Sequence, residues 1–412
     1  MTLLLTLAWR NIWRNKRRTI LTILAILFAA FLTSAMRGVA VGTWEYNVRN
    51  TLEMFAGYLQ VQREGYQENP SVSKSFVRSR LLDSVITREQ SVAGFAPRVM
   101  AEGLVSFRAN AAGAALFGVD PDAERRVSRF HQRLREGVFF RRGDPSAIVV
   151  GYKLLENLKA HVGDTLVILA QGRDGVLADR LFRVSGSVRL GSPEFDAMAV
   201  FMDLGAAQEL LAMEGRLHSV VISLSDLRGV TRVREALRRD LDAAGGTGLA
   251  VLTWQEVLPD LKQAMDFDRI GDWFFYGILI VIVALGILNT LLMSVTERFR
   301  EFGVSLSLGM QPGLLVRLVL VETLMIALIG SVIGAGVGYA ANVYVYYHPI
   351  SLTGDLRVMY EQYGFLPQIV STLNPGVALT VMSLILGISV VSAIYPAYRV
   401  YHLEPLKGIR YT

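Results

Sequence analysis

Cysteine is absent from this chain of 412 residues, and the short motifs of several enzyme classes are absent as well. Without cysteine the chain forms no disulfide and offers no thiol nucleophile or thiolate metal ligand. It contains no Gly-Lys dipeptide, which excludes the phosphate-binding loop G-x-x-x-x-G-K-[ST], and it has no G-x-S-x-G motif. The sequence therefore predicts no enzyme active site, and it assigns any ATP hydrolysis to another polypeptide.

Histidine is scarce, and its few positions are widely spaced. None of them shows the i,i+4 or H-E-x-x-H spacing that metal sites favour. We interpret them as surface or structural residues, and we expect the chain itself to bind no metal and no cofactor. The five are His131, His161, His218, His348 and His402.

Apolar residues, by contrast, make up 52% of the chain, and a mean hydropathy of +0.38 is typical of a membrane protein. A helix needs about 20 apolar residues to cross the bilayer core. Four segments are long enough to span it, at residues 19–36, 273–295, 318–344 and 377–395. The first follows basic residues as a signal peptide would. This run of 18 residues is longer than the usual signal core of about 7–15, which favours a retained span.

Basic residues are concentrated beside the predicted spans. Residues 38–272 carry 29 Lys and Arg against 30 Asp and Glu, whereas the whole chain carries 42 against 36. That region is therefore −1 and the remainder is +7, which accounts for a pI of about 9.5 without nucleic acid as a partner. The positive-inside rule places both termini and the connection between the second and third spans in the cytoplasm, and residues 38–272 outside.

Hydrophobic periodicity predicts an α-helical membrane domain with four transmembrane helices and a large α+β extracytoplasmic domain. The predicted segments in chain order are a cytoplasmic amphipathic helix (1–18), a first transmembrane helix leading into a stalk (19–41), the extracytoplasmic domain (42–270), a second transmembrane helix (271–296), a charged cytoplasmic helix (297–317), a third transmembrane helix (318–345), a small extracytoplasmic loop (346–376), a fourth transmembrane helix (377–398) and a cytoplasmic tail (399–412).

Within the extracytoplasmic domain the order strand, helix, strand occurs twice, at about 58–113 and 216–254, which predicts two halves of one α+β layer. A β-rich subdomain, at about 114–215, is inserted between them. Its hairpin tip at 171–179 has the composition of an exposed loop available to an outer partner, and it includes Gly172, Arg173 and Asp174. We predict a single polar helix over 254–272 that leads back to the membrane.

The stretch after the second span combines charge and glycine at regular spacing. Glu297 and Glu301 share a helix face, and Arg298 is placed to pair with Glu301 at i,i+3. Gly303 offers a site for the close approach of another surface, and Gly309 is placed to end the helix. The alternative on composition alone is a solvated helix beside the membrane.

The third span carries a row of small residues and one carboxylate. Gly330, Gly334 and Gly338 share a face, at the spacing that lets helices approach closely. A contact within the chain and a contact between two chains fit this row equally. Glu322, near the inner end, is a candidate functional residue because charge inside a membrane segment is costly. We favour a structural role in which it is hydrated or paired with Arg317.

Three motifs together resemble the FtsX/MacB superfamily of ABC-transporter permeases. The superfamily's coupling motif E-R-x-x-E-[IF]-G-x-x-x-x-x-G is similar to Glu297-Arg298-Phe299-Arg300-Glu301-Phe302-Gly303 followed by Gly309. Its amphipathic N-terminal helix is similar to Leu7-Ala8-Trp9-Arg10-Asn11-Ile12 with Arg14, Arg17 and Arg18. Its C-terminal P-A-x-R element is similar to Tyr395-Pro396-Ala397-Tyr398-Arg399 with Pro405.

The resemblance implies a permease whose coupling element sits on a separate ABC ATPase dimer, where ATP and Mg²⁺ bind. It also implies a second permease copy, identical or different, and mechanotransmission of ATP-driven motion to the outer domains. The length, the four spans and the unfused ATPase are most similar to the LolC/LolE branch. That branch releases lipoproteins from the bacterial inner membrane to a periplasmic chaperone, so a lipid or lipoprotein substrate is implied.

Two alternatives remain within the same superfamily. One is MacB-like efflux of antibiotics, peptides or lipids with a periplasmic adaptor. The other is FtsX-like regulation of an extracytoplasmic enzyme such as a cell-wall hydrolase. The 171–179 hairpin is short and lacks proline, which departs from the chaperone-binding loop of the lipoprotein-releasing branch.

Overall fold

The computed structural model describes residues 2–226, 229–245, 248–362 and 366–404, and it divides into two compact units. The helical unit comprises Met1–Glu45, Met265–Ser351 and Gln368–Thr412. The α+β unit comprises Tyr46–Ala264 and Leu352–Pro367. Pro405 of the C-terminal motif and the end of the predicted tail, 405–412, lie outside the described residues.

Helices account for most of the helical unit and cover parts of the α+β unit. A π-helical turn, Leu52–Ala56, continues the second helix, and a 3-10 turn lies at Phe130–Arg133. In chain order the α-helices are α1 (Thr2–Arg14), α2 (Lys16–Thr51), α3 (Arg80–Arg88), α4 (Pro121–Val127), α5 (Tyr152–Leu158), α6 (Pro193–Asp196), α7 (Leu204–Leu210), α8 (Val230–Ala243), α9 (Trp254–Val257), α10 (Pro259–Glu297), α11 (Phe299–Ser307), α12 (Pro312–Tyr347), α13 (Gly354–Gln362) and α14 (Gly376–Tyr401).

Four helical runs in the described part of the chain are long and apolar enough to cross a membrane. They contain the four spans predicted from hydropathy, and each extends beyond the apolar stretch. The runs are Lys16–Ala56, Pro259–Glu297, Pro312–Tyr347 and Gly376–Tyr401.

Most of the strands belong to one continuous sheet in the α+β unit. In chain order the strands are β1 (Leu59–Arg63), β2 (Phe76–Val77), β3 (Val92–Phe107), β4 (Asn110–Val119), β5 (Leu134–Gly137), β6 (Ala147–Gly151), β7 (Thr165–Gln171), β8 (Leu177–Val188), β9 (Ala199–Asp203), β10 (Arg216–Leu217), β11 (Ser219–Leu224), β12 (Leu249–Thr253), β13 (Ile350–Ser351) and β14 (Gln368–Ile369).

The two predicted halves of the outer domain form one antiparallel layer in the order β12, β1, β11, β3. One β-α-β unit consists of β1, α3 and β3, and the other consists of β11, α8 and β12. The parallel strands of each unit are separated by a strand of the other unit. This interleaving is the split β-α-β arrangement of ferredoxin-like folds.

The inserted β-rich subdomain is a closed barrel. Strand β3 is 16 residues long. Its pairing with β11 ends at Arg98, and from Arg98 onward it pairs with β4. Its far end also pairs with β7. From β4 the pairing continues through β9, β6 and β8, and β8 returns to β7. Six strands therefore close on themselves, which removes their open edges.

An aromatic cluster and a buried ion pair hold the centre of the α+β unit. Phe55, in the π-helical turn, packs against four other phenylalanines with ring centroids 4.9–5.7 Å away. Arg98 donates to both carboxylate oxygens of Glu124, at 2.6 and 2.9 Å, and to the carbonyl oxygen of Phe55 at 2.6 Å. Both charged side chains are 1% exposed, so each depends on the other for compensation.

His218 is another buried polar residue of this unit. Its Nδ1 accepts a hydrogen bond from the Met100 amide at 3.0 Å, and its Nε2 lies 3.2 Å from the carbonyl oxygen of Val72. Burial lowers the pKa of His218 to about 4. The imidazole is therefore neutral with its proton on Nε2, and its role is to satisfy the core.

Two predicted segments differ in detail from the structure. The predicted helix over 254–272 is interrupted at Leu258, because α10 begins with Pro259, whose missing N–H is tolerated only in the first turn of a helix. The predicted small outer loop contains regular structure, namely α13 and the antiparallel pair β13–β14.

Candidate functional site

The candidate site is the coupling segment, residues 297–309, which joins the second and third spans. Helix α10 ends at Glu297, and Arg298 leaves the helical conformation before α11 begins. Gly309 ends this short helix with φ of +92°, a conformation that favours glycine. Pro312 then occupies the first turn of α12, where its lack of an N–H costs nothing.

One face of α11 is buried in the chain's own fold. Phe299 and Phe302 pack against Leu315 and Val319 of α12 and against Val400 of α14. Gly303 is buried on this face too, so the structure places it against its own unit. The close approach predicted at Gly303 is made here by the chain's own unit, and a contact of Gly303 with another protein stays a prediction.

The opposite face of the coupling segment is exposed. Glu301, Val304 and Leu308 follow one another at three- and four-residue spacing, and the two apolar side chains are 45% and 83% exposed. Gly309 and Met310 continue this exposed surface. An apolar face of this kind at the end of a membrane helix is typical of a docking surface.

The carboxylates of the coupling segment meet the N-terminal helices. Arg18 donates to Glu297 at 2.6 Å, and Arg14 donates to Glu301 at 2.9 Å. Arg298 reaches Glu301 at 3.4 Å, as its spacing predicts. Although partial burial opposes ionisation, the hydrogen bond and charge of Arg14 and the charge of Arg298 hold the pKa of Glu301 below its usual value.

Glu322 of the third span is paired, but its partner is not the predicted one. Arg298 donates from Nη1 to both of its carboxylate oxygens, at 3.0 and 2.9 Å, and Asn11 donates to one of them at 2.6 Å. Arg317 is exposed instead. The proposed pairing with Arg317 is wrong, because the side chain that reaches the carboxylate comes from the helix break at position 298.

The N-terminal helix is amphipathic in the structure. Ala8 and Ile12 are buried, while Trp9 and Arg10 are exposed, and the rings of Trp9 and Trp13 stack edge to face at 5.7 Å. Of the basic residues singled out by the sequence, Arg14 and Arg18 engage the coupling segment. Arg10 and Arg17 are exposed.

The glycine row of the third span faces α2. A Cβ added to Gly330 would lie 2.8 Å from an atom of Ile26, and a Cβ added to Gly338 would lie 2.7 Å from Ser34. Gly334, between them, would meet Ala30 at 2.7 Å. Such distances are too short for any side chain. Of the two contacts that fitted the sequence, the structure shows the one within the chain.

The hairpin tip is smaller than predicted and is tied to the barrel. Strand β7 extends to Gln171 and β8 begins at Leu177, so five residues form the loop. Gly172 is buried, Arg173 donates its amide to the carbonyl oxygen of Leu211 at 2.8 Å, and Asp174 accepts from an amide within the loop. Arg173 to Val176 of this loop are exposed, as are the flanking Gln171 and Leu177, and a contact of the loop with an outer partner stays a prediction.

Comparison with known protein families decides the affiliation of the chain. Residues 19–240 match the family described as MacB-like periplasmic core domain, and residues 273–405 match the FtsX-like permease C-terminal family. The chain belongs to the FtsX/MacB-type permeases of ABC transporters. This permease is therefore a multi-pass membrane protein with a periplasmic domain, and the α+β unit with its six-stranded barrel is that domain.

Individual relatives of the permease are distant. The lipoprotein-releasing system transmembrane protein LolC of Xylella fastidiosa is 23% identical over 331 residues, 78% of each chain. The macrolide export protein MacB of Neisseria gonorrhoeae is 21% identical over 347 residues, 80% of this chain and 51% of that one. The solved periplasmic region of MacB from Actinobacillus actinomycetemcomitans covers 52% of this chain and 96% of its own, with 13% identity and a TM-score of 0.38.

Metal chemistry has no candidate site in the part of the permease that the structure describes, since no three His, Asp or Glu side chains are grouped to hold an ion.

The sequence indicated both glutamates of the coupling segment, but it did not indicate Asn11 or the partner of Glu322. The available signal was the spacing of Asn11 and Arg14, which places two polar side chains on one face of α1, with Arg18 following at the start of α2.

Proposed function

We propose that this permease couples ATP hydrolysis on a separate ATPase dimer to the release of lipoproteins from the inner membrane. In this proposal ATP and Mg²⁺ bind in the ATPase, and a second permease copy completes the machine. Motion passes from the coupling segment through the membrane helices to the periplasmic domain. A periplasmic chaperone or adaptor accepts the lipoprotein.

The observation that carries the coupling role is the division of α11 into two faces. Its buried face packs on α12 and α14, whereas Glu301, Val304 and Leu308 present an exposed apolar and acidic face. An ABC permease needs a partner that hydrolyses ATP, and this face has the composition that such a protein would cover.

The ion pairs of the helical unit support a cytoplasmic position for this face. Arg14 and Arg18 belong to the basic N-terminal region, and they contact Glu301 and Glu297 directly. The N-terminal region and the coupling segment therefore lie at the same end of the helical unit. Basic residues beside membrane spans favour the cytoplasmic side.

The continuity of the first span supports mechanotransmission. Helical structure runs from Lys16 to Ala56 without a break, and its last turn carries Phe55 into the aromatic cluster of the periplasmic domain. Arg98 fixes the same turn through the carbonyl oxygen of Phe55. An unbroken helix whose end is clamped in this way is suited to transmit displacement.

The docking face is tested by introducing a charge into it. Leu308→Glu should weaken copurification of the ATPase about a hundredfold, because a like or unpaired charge in an interface costs several kcal/mol. Leu177→Glu is the matched control, since Leu177 is also exposed, at 65%, but belongs to the barrel. Equal ATPase binding by the two variants would rule out this face as the docking site.

The substrate is tested with the reconstituted permease and ATPase. We expect triacylated or diacylated lipoproteins to copurify with the permease and to stimulate ATP hydrolysis, because the LolC relative matches 78% of the chain. Macrolide stimulation without lipoprotein binding would favour MacB-like efflux. A protein ligand that binds without any change in hydrolysis on adding lipid would favour an FtsX-like regulator.

A further inference from the structure

The N-terminal polar row, Asn11, Arg14 and Arg18, forms contacts that the function proposed above does not use. Each member bonds a different carboxylate, and the three carboxylates lie on the coupling segment or beside it. The order of the contacts is reversed along the two segments, since Arg14 contacts Glu301 and Arg18 contacts Glu297. The N-terminal helices and the coupling segment therefore run antiparallel along a shared polar seam.

The seam has a buried end and an exposed end. At the buried end, the side chains of Arg298 and Glu322 are each 10% exposed, and Asn11 completes the hydrogen bonding of the carboxylate. At the exposed end, Arg14 and Glu301 are 52% and 50% exposed. Buried pairs of this kind are costly to break, whereas exposed pairs exchange partners readily.

This difference gives the two ends of the seam different tasks. The buried end fixes the helix break at Arg298 to the third span, so it acts as a pivot for α11. The exposed pairs hold both sides of that pivot. Arg18 fixes Glu297, the last residue of α10, and Arg14 restrains the rotation of α11 through Glu301. The orientation of the exposed Val304 and Leu308 face then depends on the N-terminal helices as well as on the spans.

We propose that Asn11, Arg14 and Arg18 are positioning residues of the coupling segment, and that they hold its apolar face at the angle at which ATP hydrolysis is transmitted. This inference rests on the proposed coupling function. It adds that the N-terminal helices are part of the coupling apparatus and move together with α11.

The test is a charge exchange across the Arg18–Glu297 pair, in the complete complex of permease and ATPase. Arg18→Glu alone should place two carboxylates together and lower the substrate-stimulated kcat for ATP about threefold to tenfold, with the KM for ATP unchanged. Arg18→Glu combined with Glu297→Arg restores the pair in reverse, and stimulation should recover. Recovery is a readout that a general loss of folding would not give.

Three results would overturn the inference. The first is wild-type stimulation in Arg18→Glu. The second is a double variant that loses ATPase copurification and shows no more stimulated hydrolysis than Glu297→Arg alone. This result would mean that the Glu297 carboxylate contacts the ATPase instead of Arg18. The third is a double variant that retains the ATPase and stays uncoupled.

Failure of the proposed function gives a different result. Leu308→Glu, made in the same preparations, should lose the ATPase whether or not the polar row positions α11. If it keeps the ATPase, the docking face is wrong. If it loses the ATPase while Arg18→Glu remains fully coupled, the docking face stands and the inference about the N-terminal helices fails.

A second measurement uses the absence of cysteine from the chain. The pair Arg14→Cys and Glu301→Cys is expected to be joined by a short bifunctional thiol reagent. If the two helices move together, the joined protein should show at least the stimulated hydrolysis of the same double variant before crosslinking. Loss of stimulation on crosslinking, with the reagent harmless to each single variant, would show that they move apart and would overturn the proposal.

Discussion

Replacement of Gly334 by alanine should destabilise the contact between the first and third spans. A Cβ at this position would lie 2.7 Å from the Cβ of Ala30 and 2.9 Å from the Cα of Leu27, and closer still to the carbonyl oxygen of Leu27. Ordinary contact begins near 3.4 Å, so the Ala30 contact alone requires α12 and α2 to separate by about 0.7 Å, and the nearer oxygen of Leu27 requires more. All of these atoms are fixed to the backbone, so rotation of a side chain cannot relieve the overlap.

The magnitude follows from the separation. A gap of about 0.5–1 Å forfeits a quarter to a half of the dispersion attraction along the contact, and overpacking of this kind typically costs about 1–3 kcal/mol. Gly336 is the matched control, because nothing lies within 4 Å of a Cβ added there. Both substitutions gain about 0.8–1 kcal/mol of helix propensity, so the difference between them isolates the overlap.

The assay is equilibrium unfolding of the full permease in mixed micelles, followed by tryptophan fluorescence. Gly336→Ala should be at least as stable as the wild type. Gly334→Ala should be less stable than Gly336→Ala by about 1–3 kcal/mol. Equal unfolding midpoints for the two variants would refute the assignment of this face to α2.

Three further outcomes are expected. Arg98→Met should lose about 3–5 kcal/mol of stability in thermal unfolding, because it leaves Glu124 charged and buried. The double variant Arg98→Met with Glu124→Leu should recover much of this loss, and no recovery would contradict the buried ion pair. Burial lowers the pKa of His218 from 6.5 to about 4, so the unfolded chain binds a proton first as the pH falls, and about 3 kcal/mol is lost between those pH values. His218→Gln should lack this part of the pH dependence, measured as the difference from the wild type by hydrogen exchange. Single cysteines at Val176 and Leu308, both exposed, should be labelled by an impermeant reagent from opposite sides of the membrane; labelling of both from one side would disprove the topology.

Local sequence patterns were sufficient for the secondary structure that positions the site. The four apolar runs, the charged stretch after the second span and the helix stop at Gly309 each depend on residues a few positions apart. The strand–helix–strand order of the two halves was visible for the same reason. The helix break at Leu258 did not follow from the sequence, because a proline such as Pro259 inside a helical pattern marks either an interruption or a kink.

Contacts between distant segments were decided by the tertiary structure alone. The sequence indicated a β-rich insert, but closure of the barrel depends on the pairing of β3 with β7 across more than sixty residues. Periodicity identifies a strand and one buried face, and it does not identify the neighbouring strand. For the same reason the ion pair of Arg98 with Glu124 could not be foreseen.

At the candidate site the division is the same. The sequence by itself determined that Glu297 and Glu301 share a helix face beyond a span, and that Gly330, Gly334 and Gly338 form a small-residue row. Only the tertiary structure decided that these glycines pack against α2 and that Arg298 and Asn11 donate hydrogen bonds to Glu322. A carboxylate in a membrane segment requires a cation, and the sequence indicates this requirement but does not identify the cation. Several cations lie near enough along the chain, and the packing of the helices selects the one that reaches it.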